Sequence, residues 1–288
     1  VVIQQKNSNK FNQYMRLFIK WSIPFLVALM VGAYLAWSLA YWVYSRPRDA
    51  ILPFADNFES ADLRNWQRFG WRQLCCEHSM TVVAAPQNSD GHAARFELKR
   101  GDPHMRGSAR SEVRLPAAHL DATYRYAFSI WLPEDWQADP APTLLVQWHS
   151  VSDKLFLEAG VSPPLRVSAV GDQWVVENMW DSAWISRWQG QRDEHVDGAR
   201  LLWTGPLERG RWVTWQFIVH WSWKQDGRIE IIKDGLPLVT ANGPNTFRDL
   251  IGPYMKAGLY VPRWADPKEP LRLTNRVVLM DNIEFSRQ

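Results

Sequence analysis

Arg110-Ser111-Glu112-Val113-Arg114 alternates charged residues with small or apolar ones. A β-strand turns successive side chains to opposite faces, so Arg110, Glu112 and Arg114 share one face. Two other segments read the same way. Gln147-Trp148-His149 sets Gln147 and His149 on one side and Trp148 on the other. Tyr254-Met255-Lys256-Ala257-Gly258-Leu259-Tyr260 sets Tyr254, Lys256 and Tyr260 on one side. Together these faces hold cations suited to an acidic ligand, a neutral amide, a histidine and tyrosines.

The surrounding chain has the same texture. Short alternating or apolar runs are separated by Gly, Pro, Asp and Asn, which reads as all-β. The expected strands are Ala93–Leu98, Arg110–Leu115, Tyr124–Leu132, Thr143–His149, Leu165–Val170, Gln173–Asn178, Trp212–Trp221, Arg228–Lys233, Tyr254–Val261 and Val277–Phe285. Lys233-Asp234-Gly235-Leu236 supplies a hairpin turn, with Asp-Gly where positive φ is needed. So many short strands in one domain imply a two-sheet sandwich or jelly roll. A helix is expected in a loop near Thr246–Leu250.

The N-terminal part differs in kind. Trp21 to Tyr44 runs 24 residues without a charge. At roughly 1.5 Å per residue this spans a bilayer core of about 30 Å. Trp37, Tyr41, Trp42 and Tyr44 crowd its far end, as in an interfacial belt. A signal peptide would have a shorter apolar region ending in small residues, so an uncleaved anchor is expected. Lys6, Lys10, Arg16 and Lys20 precede the span without an acid, which puts the N-terminus in the cytoplasm. The expected division is a basic cytoplasmic segment over 1–20, a transmembrane helix over 21–44, a linker over 45–53 and a jelly-roll domain over 54–288. In a bacterium this means the inner membrane, with the domain in the periplasm.

Charge agrees with this division. Residues 1–50 carry six Lys/Arg and one acid, and the rest carry 27 Lys/Arg against 29 Asp/Glu. The basic pI of about 8.9 belongs to the anchor, so no nucleic-acid partner is expected. The two cysteines, Cys75 and Cys76, are adjacent. They either form a rare ring or stay as thiols, and without a second Cys pair a zinc site is not expected. Of 18 tryptophans, three lie in the anchor. Trp148 and Trp215 are expected in the core. Trp136, Trp180, Trp184, Trp188, Trp203 and Trp264 fall in loops or at strand ends, where a ring lies against a sugar face or shields an apolar patch.

The three motifs, in this order, resemble those of jelly-roll polysaccharide lyases. Alginate lyases of that fold carry Arg-(Ser/Thr)-Glu-(Leu/Val)-Arg, Gln-(Ile/Val)-His and Tyr-Phe-Lys-Ala-Gly-x-Tyr. The Phe54–Glu59 stretch, the Gln-Trp-His form and Asp281-Asn282-Ile283-Glu284-Phe285 resemble the heparin-lyase-like branch. The resemblance covers roughly residues 54–285 and implies an antiparallel, concanavalin-like jelly roll with a groove for an anionic polysaccharide. It implies β-elimination at a uronic acid, whose C5 proton becomes acidic only when the carboxylate is neutralised. By resemblance Arg110 and Gln147 bind that carboxylate, and His149 neutralises it or takes the proton. Tyr260 serves as acid, and often as base. Lys256, on the same face, brings a cation toward that hydroxyl. Glu112, Arg114, Tyr254, Trp180, Trp184 and Trp264 are expected to orient these groups or bind neighbouring sugars. Pro262 and Arg263 depart from the Asn-Gln of alginate lyases, and Trp148 replaces Ile or Val, so the substrate's identity does not carry over.

Other chemistries have weaker support. No carboxylate pair stands out as in a retaining glycosidase, and Asp181, Asp193 and Glu194 lack a recognisable pattern. No phosphate loop or serine elbow is present. The alternatives are a non-catalytic carbohydrate-binding or polysaccharide-assembly protein on this fold, or a glycoside hydrolase. No cofactor is expected. Asp56, Glu59 and Asp281 leave room for a structural calcium that no spacing demands. The expected partners are an anionic polysaccharide, the membrane, and a polysaccharide synthesis or export machine.

Overall fold

A computed structural model describes residues 2–45, 53–67, 72–87, 91–266, 268 and 273–288. It has two compact units, divided at Arg46 and Pro47. The first is the helix α1 (Val2–Ser45), with Pro24 inside it. Within α1, Ser22–Val43 is long and apolar enough to cross a membrane. Its large side chains, Phe25, Met30, Tyr34 and Leu35 among them, are exposed. Most of the expected linker lies outside the described residues.

The second unit is built from strands, in chain order β1 (Phe54–Asp56), β2 (Arg72–Gln73), β3 (Met80–Ala84), β4 (His92–Lys99) and β5 (Arg110–Ala117). They continue as β6 (Ala122–Trp131), β7 (Thr143–His149), β8 (Leu165–Val170), β9 (Gln173–Trp180) and β10 (Gly198–Pro206). The last are β11 (Trp212–Trp221), β12 (Arg228–Lys233), β13 (Leu236–Asn242), β14 (Tyr254–Tyr260) and β15 (Asn275–Arg287). Two antiparallel sheets result. One runs β13-β12-β11-β6-β15-β4-β3, with β1 added to β15, and the other runs β10-β9-β8-β7-β14-β5-β2. The β12–β13 hairpin turns at Asp234 and Gly235, both at positive φ as their sequence requires.

The core lies between the sheets and takes alternate residues from each strand. Trp148 from β7 is fully buried. Its ring centroid lies 4.7 Å from Phe217 and 5.3 Å from Tyr126, the latter edge-on. Val113, Met255, Ala257 and Leu259 join the same core cluster. The residues between them must therefore face the other side of the sheet. One expectation is corrected: Thr246–Leu250 is not helical. Phe247 forms a bridge with Asp181, and the Leu250 amide donates to the Asp153 carboxylate, so this backbone is committed to tertiary partners. Cys75 and Cys76 are bonded to each other, directly after β2.

Candidate active site

The three motif strands are neighbours, in the order β7-β14-β5. Register then aligns the motifs: Tyr260 lies opposite Arg110, Lys256 opposite both Arg114 and Gln147, and Tyr254 opposite His149. Gly258 lies opposite Glu112 with φ of +132°, and a Cβ there would sit 2.2 Å from the Ser111 carbonyl oxygen. Only glycine permits that close approach.

A cavity of about 620 Å³ opens over this face, and Arg110, Gln147, His149 and Tyr260 all line it. The size suits a small-molecule or oligosaccharide site. Behind the wall lies a buried polar network. The Arg110 Nη1 donates to Gln73 Oε1 at 3.1 Å and to Glu112 Oε2 at 3.4 Å. The Lys256 ammonium donates to the same two atoms at 3.0 and 3.2 Å. Gln147 donates through Nε2 to the other Glu112 oxygen. Two cations thus share one carboxylate, leaving a net positive charge beneath the cavity. Burial pushes the Lys256 pKa down, against the pull of Glu112. The Arg110 Nε and the Gln147 Oε1 are buried without a partner.

His149 has a defined protonation state. Its Nδ1 lies 2.9 Å from the Ser150 carbonyl oxygen. A carbonyl only accepts, so Nδ1 carries the proton and Nε2 keeps its lone pair. Burial, followed by the nearby Lys256 charge, lowers its pKa to about 4. His149 is therefore a neutral imidazole near pH 7 and cannot neutralise an anion by its own charge. Its ring stacks on Tyr254, centroids 5.6 Å apart, and Arg114 lies over Tyr254 at 5.1 Å. The cation set against Tyr260 is Arg110, 4.5 Å from the ring centroid. Lys256 is instead engaged with Glu112 and Gln73.

The tryptophans distribute differently from the tyrosines. Trp264 is 7% exposed and packs in the core, so its ring is not offered to solvent. Trp180 is partly buried under Arg200. Trp184 is exposed, with the Arg248 guanidinium 3.8 Å from its ring. None of the three lines the cavity. Among the described residues, Asp56, Glu59 and Asp281 do not converge as a ligand group. They do crowd one another: burial, with help from Glu59 and Asp56, raises the Asp281 pKa to about 6.

Sequence reading missed Gln73, whose strand is two residues long, and the cavity residues Arg166, Arg187 and Arg192. Arg166 occupies an outward position of β8 and pairs with Glu177 at 2.9 Å, so strand parity offered a signal for it. Arg187 and Arg192 come from the long β9–β10 loop, where no periodicity marks them. The Arg187 Nε is also buried without a partner. Asp193 and Glu194 line the same cavity.

A family model described as polysaccharide lyase matches residues 58–284. A search of curated proteins finds no match. Among solved structures, the fold is similar to an endo-β-1,4-glucuronan lyase from the fungus Trichoderma reesei, with a TM-score of 0.65 and 18% identity. That likeness covers 82% of this chain and 95% of the fungal one. The fold is also similar to the alginate lyase Aly36B, with a TM-score of 0.50 and 11% identity, over 81% of this chain and 96% of that one.

Proposed function

The chain belongs to the polysaccharide lyase family, and on that premise we propose that it cleaves a uronic-acid-containing polysaccharide by β-elimination. The observation that carries this reading is the shared cavity of Arg110, Gln147, His149 and Tyr260 over a network of net positive charge. Arg110, with Gln147, holds the uronate carboxylate and offsets the charge that develops on it as C5 loses its proton. His149 takes that proton on Nε2, which its neutral state and its Nδ1 contact leave available. The electron pair forms the C4–C5 double bond, the C4–O4 bond breaks, and the Tyr260 hydroxyl protonates O4. Tyr254 and Arg114 brace His149, and Lys256 and Glu112 fix Arg110 and Gln147. The neighbours named for glucuronan and alginate support an anionic polymer as the class of substrate.

The apolar Ser22–Val43 stretch supports an uncleaved anchor, with residues 1–20 cytoplasmic, residues 45–53 a linker and residues 54–288 the lyase domain in the periplasm. The direct test incubates the full chain with a panel of uronans and follows ultraviolet absorbance. A lyase generates the unsaturated chromophore, a hydrolase generates reducing ends without it, and a binding protein generates neither. Protease treatment of spheroplasts checks the topology: digestion of the domain supports it, and protection of the domain while periplasmic markers are lost overturns it.

A further inference from the structure

The β9–β10 loop is long, and both of its ends carry metal-ligand side chains. Asp181 follows β9, and His195 and Asp197 precede β10. The His195 Nδ1 lies 2.9 Å from the Asp181 Oδ1 and 4.0 Å from the Asp197 Oδ1. The three ligand atoms all lie within 4.8 Å of one another. Two carboxylates thus converge on one imidazole, and a single Nδ1–H serves only one of them.

Asp181 supplies the second observation. It is fully buried, and its Oδ1 meets His195, while Oδ2, the other oxygen of the same carboxylate, has no hydrogen-bond partner. A buried carboxylate oxygen without a donor costs free energy unless a cation stands beside it. The other contacts are these: Ala183 N donates to Asp181 Oδ1 at 3.1 Å, and Ser182 donates through both its N and its hydroxyl to Asp197 Oδ2, while Asp197 Oδ1 lies 4.0 Å from the His195 Nδ1.

We propose that Asp181, His195 and Asp197 bind a divalent transition-metal ion that clips the two ends of the β9–β10 loop together. One imidazole and two carboxylates suit Zn²⁺, with water completing the coordination. Tetrahedral Zn²⁺ with bonds of about 2.0 Å places its ligand atoms about 3.3 Å apart. The observed spacings, 2.9 and 4.0 Å from the His195 Nδ1 and no more than 4.8 Å between any two ligand atoms, bracket that value. The His195 Nδ1 lone pair turns to the ion, and the ring proton moves to Nε2. The clip has a consequence at the cavity. The loop it closes carries Arg187, Arg192, Asp193 and Glu194, which form one wall of the cavity. Metal occupancy therefore orders that wall. This site is separate from the elimination chemistry, and its test does not use turnover.

The experiment titrates the full chain, in detergent and freed of metal, with Zn²⁺ at neutral pH, and follows bound metal by calorimetry. Trypsin cleavage after Arg187 and Arg192 is timed with and without Zn²⁺. The expected result is one tightly bound equivalent and at least fivefold slower cleavage. His195→Ala should lose both effects. His78→Ala, which removes a second close His–Asp pair among the described residues, 3.0 Å to Asp102, should keep both. His195 is a surface residue, so its variant is expected to fold, and an unchanged circular dichroism spectrum checks this. No saturable binding, binding that survives His195→Ala, or binding that leaves the tryptic rate unchanged would overturn the proposal.

Discussion

His149 carries its ring proton on Nδ1 and is surrounded by Lys256, Arg110 and Arg106 charges. Its pKa of about 4 lies below the ordinary 6.5, so the neutral base persists as pH falls through 6.5 and is lost only near 4. The acid limb of kcat/KM should therefore fall near pH 4, in rate profiles of the full chain on a cleaved uronan. A limb near 6.5 would contradict the assignment. Stability follows the same sign: the folded state binds fewer protons than the unfolded one between these values, so the His149 contribution is full above about 6.5 and fades toward 4. Tyr260 is tested separately. Tyr260→Phe keeps the ring against Arg110 but removes the hydroxyl. Turnover should fall by roughly 10²–10⁴-fold, with polymer binding and melting temperature nearly unchanged. Near wild-type turnover would move the acid to another group, Tyr254 first.

The strands around the site explain what could be read in advance. Thr143–His149, Leu165–Val170, Trp212–Trp221 and Arg228–Lys233 appear with the expected bounds because both neighbours of each strand are present and one face is deeply apolar. The strands without an expectation are β2, β3, β10 and β13, which are the four sheet edges, and the three-residue β1. An edge strand packs on one side only, so its alternation is weak. β10 also carries Gly198, Gly205 and Pro206, and β13 carries Pro237, residues that read as turns but are tolerated at an edge. The face that lines the cavity was legible because its polar residues lie at strand parity. The loop arginines were not, because tertiary folding brings them to the cavity.

Two predictions concern these elements. Gly258→Ala should lower stability by at least about 1–3 kcal/mol, since φ is +132° and the added carbon meets the Ser111 carbonyl. Thermal melts measure it, and an unchanged melt would mean β14 can shift off β5. Asp153 and Glu158, from the segment after β7, and Asp249, from the segment before β14, form a buried carboxylate cluster. Burial first, and Glu158 next, raises the Asp153 pKa to about 7. A raised acid pKa means the folded state holds an extra proton between about pH 4 and 7, so stability falls as pH rises through that window. Asp153→Asn should melt higher than wild type at pH 8, by about 2–4 °C per kcal/mol gained. The gap should close toward pH 4, and a gap independent of pH would rule out this origin.

The chain carries a helix with an exposed apolar surface and a two-sheet sandwich, one sheet of which bears a charged cavity. In the proposed reaction the bond breaks by elimination. The most direct measurement is the mass of the products released from a uronan by the full chain. Elimination adds no water, so each new non-reducing end should be one water lighter than the hydrolysis product and should absorb in the ultraviolet, and Tyr260→Phe should release almost none. Products that have gained a water, or no cleavage of any uronan by the wild-type chain, would contradict the account.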